Sequence, residues 1–472
     1  MVDPGRRRLL RHGLVAAGGL GLGAAGLWQL LHPGAPLAAH PASGPLRAVA
    51  DENTGLKILK LPAGFRYRTM AWAGETLADG YTAPGAADGM GVVADRDGIV
   101  TLIRNHELKG TSVPIGDPEK AWDVTGGGAT TLKFDSRSER LLDSRISLGG
   151  TLNNCSGGVT PWGTWLSCEE APVTPALLHY GTEMRQWKWH VDKARKPHGY
   201  VFEVHAEGET RPQPIVPMGQ FYHEAAAVHA ASGAVYMTED NSPEAGFYRY
   251  VPHTPGRLRD GGRLQMMKVS GRPELKKHLP LRRPMDFAWV DIDKPGQGHS
   301  PGTHDCSGVV RQGIAAGATA FLSLEGCTCV GDSVYFTSKG SGRAKAGQIF
   351  HVDLEQSTLE LVFESSDRNG FSGPDNLVVS PRGSLMVCED RDGVMTAAQR
   401  IAWLDRAGRL FEFCQVNPRL KARHAGFKLR DTALSSEWSG ACFSADGRWM
   451  FANIYNPGVT VAITGPWEAV PI

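Results

Sequence analysis

The chain has 472 residues, of which 58 are glycine and 30 proline, and its 50 Lys+Arg nearly cancel its 49 Asp+Glu. Glycine is about 12% of the chain, against a usual share of roughly 7%; it keeps no three-residue period, which excludes a collagen-like rod, and the charge balance excludes a nucleic-acid binder, which carries a strong basic excess. Hydrophobic residues at 41%, with 12 Trp and 16 Phe, exclude a disordered chain and suit many short strands joined by turns.

Residues 1–42 read as an export address. Gly5 to Arg11 carries paired arginines, Gly13 to Leu31 is weakly apolar and rich in small residues, and Pro33 to Ala39 is a small-residue stretch. Together they resemble a twin-arginine signal. A membrane anchor has the right length but needs a more apolar run. The expected location is periplasmic or extracellular. Delivery would be by the twin-arginine export machinery, with no stable membrane association after cleavage. Without residues 1–42 the chain holds 46 basic and 48 acidic residues, a formal charge of −2.

Residues 43–472 are expected to form one domain, a single unit written six times. Each unit is a short apolar strand, a tight turn and an alternating strand. The turns fall at Gly98, Gly163, Gly233, Asp332, Gly383 and Gly447, where Gly or Asp supplies unusual backbone angles. Their spacings are 65, 70, 99, 51 and 64 residues. Each interval holds a four-stranded blade of about 40–50 residues plus loops. The longest also holds an insertion at about 243–317. An all-β, six-bladed β-propeller follows. A two-sheet sandwich explains hairpins but not six similar ones. No amphipathic helix of ordinary length is expected.

In a propeller the first strand of each blade lines the axis, so the starts of those strands converge. Counting back seven to ten residues from the turns gives Cys155, Glu224, Glu325, Asp375 and Glu437. Carboxylates gathered this closely need cations to stay ionised. Oxygen ligands suit calcium, and a thiolate among them favours a softer metal such as iron or zinc. A second ring comes from the ends of the second strands: Asn105-His106-Glu107, Glu169-Glu170, Glu239-Asp240, Lys339 and Glu389-Asp390. Strand alternation sends one member of each pair toward the axis, and which one is open at this point.

Several motifs resemble the PhoX-type alkaline phosphatases. They are Arg104-Asn105-His106-Glu107, the run from Asn154 to Trp165 with Cys168-Glu169-Glu170, and Gly219 to Glu224. Further on come Pro374 to Leu377, Cys388-Glu389-Asp390, Ser436 to Gly440 and Ile463 to Trp467. The resemblance implies a six-bladed propeller carrying two Fe3+, up to three Ca2+ and a bridging oxo group. It implies Cys155, Glu224 and Glu325 as iron ligands, with Glu437, Asp375, Glu170, Glu239 and Asp240 as calcium partners. It also implies hydrolysis of small phosphomonoesters outside the cytoplasm. A monomer is expected. One departure stands out: the family's phosphate-binding arginine, two residues before Glu325, is here Ser323. Losing a guanidinium weakens phosphate recognition, so Lys339, Arg104 or Arg249 is expected to compensate, Lys339 being best placed. The alternatives are a non-catalytic, metal-stabilised propeller and a lactonase-like hydrolase with one calcium.

Among the remaining residues, Cys168, Cys388 and Cys442 read as core. Cys327 and Cys329 share a strand face, and Cys306 is a disulfide partner for either. His106 and His223 adjoin acidic motifs and are candidates for metal ligands or for supporting them. Trp162, Trp165, Trp438, Trp449 and Trp467 read as packing residues.

Overall fold

The computed structural model describes residues 44–470 except 110–112, 176–193, 209–210, 301–302, 304, 367–369, 392–398, 406 and 430–435. The expected export segment lies outside the described residues. Among these residues no helix is long and apolar enough to cross a membrane.

All six predicted hairpins form. They are β1 (Ala87–Arg96) with β2 (Ile99–His106), β3 (Asn154–Val159) with β4 (Trp165–Glu169), and β5 (His223–Val228) with β6 (Val235–Glu239). Then come β7 (Leu324–Val330) with β8 (Ser333–Ser338), β9 (Pro374–Val379) with β10 (Leu385–Glu389), and β11 (Trp438–Phe443) with β12 (Met450–Ile454). Glycines with positive φ turn five of them, as expected. In the β7–β8 turn it is Gly331, at φ +55°, and not Asp332 that takes the left-handed conformation.

The architecture is all-β and propeller-like. The first strands follow one another round a closed ring, β1 beside β3, β5, β7, β9 and β11 in turn, and β11 again beside β1. Glycine makes that ring tight. A Cβ on Gly89 would lie 2.4 Å from Ser156 Cα, and one on Gly440 would lie 2.7 Å from Asp88 O, so neighbouring strands meet where only glycine fits. The ring closes through the start of the chain, since Arg66–Met70 pairs with Val459–Thr464 beside β12. The sheets do not divide evenly. Four have three to six strands, while one of nine joins the β5–β6 and β7–β8 hairpins. The join is Met285–Asp291, which pairs with Gly262–Val269 on one side and Thr358–Glu364 on the other.

That join lies in the segment expected to be an insertion, 243–317. Part of this segment is regular sheet, because Phe247–Pro252 and Gly262–Val269 extend the β5–β6 hairpin. The segment also holds a helix that the sequence reading did not foresee, α1 (Gly308–Ala315). Two turns are too short to declare a helical period. Val309 and Val310 bury it against Leu264, Met266 and Ile292.

The core lies between the sheets, as alternation requires. Trp403 and Trp438 are fully buried, and Trp165, Trp449 and Trp467 nearly so, which makes these tryptophans packing residues. All eight cysteines are free. Cys306 packs with Leu152 and Val173, whereas Cys327 belongs to a different cluster with Phe321 and Phe336, so the disulfide between them does not form.

Candidate metal centre

Each first strand breaks register with its partner at the same place. The breaks lie between Ala87 and Met90, Asn154 and Gly157, His223 and Ala226, Leu324 and Cys327, Pro374 and Leu377, and Ser439 and Cys442. A bulge bends a strand and re-aims a side chain. In five strands the first residue of the break carries a donor: Asp88, Cys155, Glu224, Glu325 and Asp375. In β11 that place is Gly440, and the carboxylate comes from Glu437, just before the strand. Asp88 was missed in the sequence, although it precedes Gly98 by the same ten residues that separate Glu437 from Gly447.

The second strands settle the open question of their paired ends. The first member of each pair turns into its own sheet. His106 bonds Gly85 O at 2.8 Å and Thr130 Oγ1 at 3.0 Å. Glu169 accepts from the amides of Leu152, Gly199 and Tyr200 and contacts His198 Nδ1 at 2.7 Å. Glu239 accepts from Gly246 N at 2.8 Å and Tyr248 Oη at 2.7 Å, and Glu389 pairs with Arg400 at 2.6 Å. The second members, Glu107, Glu170, Lys339 and Asp390, reach the axis, and Asp240 acts electrostatically on Glu170 and Glu325 there. Glu239, an expected calcium partner, bonds inside its blade through Oε2 and joins none of the donor groups among the described residues, because adjacent strand residues face opposite ways.

Donor atoms form four groups, each within 4.8 Å: Asp88–Glu107–Cys155, Cys155–Glu170–Glu224, Glu224–Glu325–Asp375 and Asp375–Asp390–Glu437. Cys155, Glu224 and Asp375 are each shared, so the groups form a chain. It unites six of the eight expected ligands with Glu107 and Asp390, which the second ring of strand ends had offered, and with Asp88, which was missed. Asn153, at φ +51°, braces the second group by donating 2.8 Å to Glu170 Oε2, and Cys155 Sγ donates to the same oxygen at 3.0 Å.

The electrostatics are those of crowded acids. Burial first, then neighbouring carboxylates, push Asp88, Glu224, Glu325 and Glu437 well above the usual carboxyl range. Burial, with Asp240 adding to it, brings Glu170 to about 8. The Cys155 thiol is raised by burial and by Glu107, Glu170 and Glu224. Glu325 Oε1 is buried with no hydrogen-bond partner. A buried set of many oxygens and one sulfur, with an unsatisfied acceptor at Glu325, fits metal cations.

The expected phosphate-binding cations divide. Arg104 is fully buried, and its guanidinium is held by Ala71 O, Thr460 Oγ1 and Thr130 Oγ1 between blades, where burial lowers its pKa to about 9. Arg249 bonds Gln265 and stacks 4.5 Å over Trp289, in the outer part of its sheet. Lys339 does reach the cluster, 3.8 Å from Glu325, 3.9 Å from Asp375 and paired with Asp390. Its amide donates to Ser323 O at 2.9 Å. Lys109, which the sequence reading passed over, pairs with Glu107 at 2.6 Å with 42% of its side chain exposed. Its signal was a basic residue two places after the Asn-His-Glu motif. His223 stacks 3.6 Å from Phe221 and bonds Gly219 O, and burial lowers its pKa to about 3. Neither His106 nor His223 joins a donor group.

The family model of Alkaline phosphatase PhoX matches residues 119–458. Asp88 and Glu107 precede that span. No curated protein matches the chain. Similar solved structures include a protein whose gluconolactonase name is provisional, at 11% identity and TM-score 0.40, covering 89% of this chain and 98% of that one. They also include the RRP9 WD40 repeats, at 8% identity and TM-score 0.38 over 89% and 100% of the two chains. A third is the calcium-binding protein regucalcin from Agrobacterium tumefaciens, at 11% identity and TM-score 0.36 over 84% and 96%. At these scores the structural likeness carries no argument about this chain. The family match covers well over half of it, and the chain belongs to the PhoX alkaline phosphatases, phosphatase-type hydrolases.

Proposed function

We propose that the chain is an exported phosphomonoester hydrolase whose axial cluster holds iron and calcium. The observation that carries this reading is the chain of four linked donor groups with a single thiol at one shared corner. Cys155 would hold the softer iron with Glu224 and Glu170, while the all-oxygen group Asp375–Asp390–Glu437 suits calcium. The ions would supply Lewis-acid stabilisation of the phosphoryl oxygens and an activated oxygen nucleophile.

The residues of the chain do the holding and the orienting. Glu169, Glu239 and Glu389 tie each second strand to its neighbours, so that Glu170, Asp240 and Asp390 sit at fixed depths. The partly exposed Lys109 stands at the edge of the cluster and would meet the incoming phosphate in place of the arginine missing at Ser323. Lys339 adds fixed positive charge beside Ser323. The six equivalent bulges support a count of six blades, two of them fused through Met285–Asp291.

Elemental analysis and a phosphomonoesterase assay on one sample of purified protein test the reading. It predicts iron and calcium together and cleavage that a chelator stops. Metals bound without turnover would favour the binding-only alternative, for which Ser323 is the supporting feature. One calcium without iron would favour the lactonase-like one.

A further inference from the structure

We infer that the Lys339 ammonium is a built-in cation of the cluster, filling the place between Glu325, Asp375 and Asp390 that a divalent ion would otherwise take. The inference rests on the proposed metal centre and concerns how many ions that centre accepts.

The first observation is positional. At the equivalent place in four of the other five second strands stand Glu107, Glu170, Asp240 and Asp390, and after β12 it is Tyr455. Only β8 among the six offers a cation there. The second is geometric. Lys339 Nζ lies 3.8 Å from Glu325 Oε1, 3.9 Å from Asp375 Oδ2 and pairs with Asp390 Oδ2. Those three acids come from β7, β9 and the end of β10, so the ammonium stands where three elements converge. Third, Glu325 Oε1 is a buried acceptor without a hydrogen bond, and this ammonium is a cation facing it.

The backbone fixes the root of the lysine side chain. Lys339 N donates to Ser323 O at 2.9 Å, and Ser338 Oγ is bonded to Leu322 O and Ser341 Oγ. The strand end is pinned on both sides of the lysine, whose side chain is 19% exposed. An ammonium is a compact point charge with three donors, suited to three converging carboxylates. Its chemical effect is to neutralise one charge with no metal. It occupies Asp375, the residue shared by the Glu224–Glu325–Asp375 and Asp375–Asp390–Glu437 groups. One further ion at that corner is therefore displaced.

The test counts calcium. Full-length wild type, Lys339→Met and Lys339→Glu are equilibrated with calcium, desalted and assayed for iron and calcium per chain, with melting followed against added calcium. Lys339→Glu restores the acid of the other strands and has the stronger reason to bind. The expected result is about one more calcium per chain in a variant than in wild type, with iron unchanged and a larger calcium-dependent rise in Tm. Calcium unchanged or reduced in both variants, with no added calcium-dependent stabilisation, overturns the inference while leaving the metal centre intact; lower phosphate affinity alongside would make Lys339 a substrate-binding residue instead. Wild type free of both metals overturns the metal centre and the inference together.

Discussion

Cys155 Sγ lies 3.0 Å from Glu170 Oε2, a contact across the first and second strands of one blade at the corner where two donor groups meet. A thiol held against a carboxylate is the place to take the softer metal. Cys155→Ala is expected to remove iron and to lower kcat/KM by about 100- to 1,000-fold, the equivalent of the several kcal/mol that a Lewis acid contributes. Elemental analysis beside the assay checks it. Full activity in an iron-free variant would sink the mechanism.

Neighbouring acids should behave differently. Glu239 is bonded to Gly246 N and Tyr248 Oη inside its sheet, and burial holds its carboxyl at about 8. Glu239→Gln keeps the acceptor and should leave metal content unchanged. Asp240→Asn removes a negative charge that acts on Glu170 and Glu325, and should weaken calcium retention. Equal metal loss in the two variants would contradict the assigned strand phase.

Lys109 and Ser323 bear on substrate phosphate. A hydrogen bond to a charged group is worth about 1.5–3 kcal/mol, so Lys109→Met should lower kcat/KM roughly 10- to 100-fold, mostly through KM. Ser323→Arg restores a guanidinium beside Lys339 and should raise kcat/KM by at least about tenfold. No change in either variant, with metals retained, would point to a binding protein.

A pH effect on stability is expected away from the cluster. His198 is fully buried between Glu169 and Asp123; burial lowers its pKa, but the two carboxylates outweigh it and bring it to about 9. The folded value exceeds the ordinary 6.5, so the stabilisation is complete below about pH 6.5 and lost as pH rises through 9. A difference of this size corresponds to something on the order of 3 kcal/mol. Wild-type Tm should fall more steeply from pH 7 to pH 10 than that of His198→Gln, and parallel curves would refute the assignment.

Much of the site was legible because a propeller repeats itself. Turn glycines at 98, 163, 233, 383 and 447 mark the hairpins, and a step of eight to ten residues back from the last four lands on Cys155, Glu224, Asp375 and Glu437. Ten residues back from Gly98, the step of Glu437, stands Asp88, so its signal too is present in the sequence. Arg104 is a different case. Its motif neighbours Asn105 and Glu107 face the axis side, with Asn105 Nδ2 bonding Cys155 O and Ser156 O, while Arg104 itself turns to Thr460 in the adjoining sheet.

The sequence by itself determined the hairpins, their turns and the stock of acids available to the axis, because these depend on local backbone preference and a period of two. Only the tertiary structure decided which of Glu239 and Asp240 faces inward, that Glu437 replaces the empty place at Gly440, and that Lys339 stands among Glu325, Asp375 and Asp390. The phase of a strand is set by its bulge and by pairing with distant residues, and a shift of one residue exchanges its two faces. Convergence of side chains from separate blades is likewise a property of the closed ring, which no stretch of the chain encodes alone.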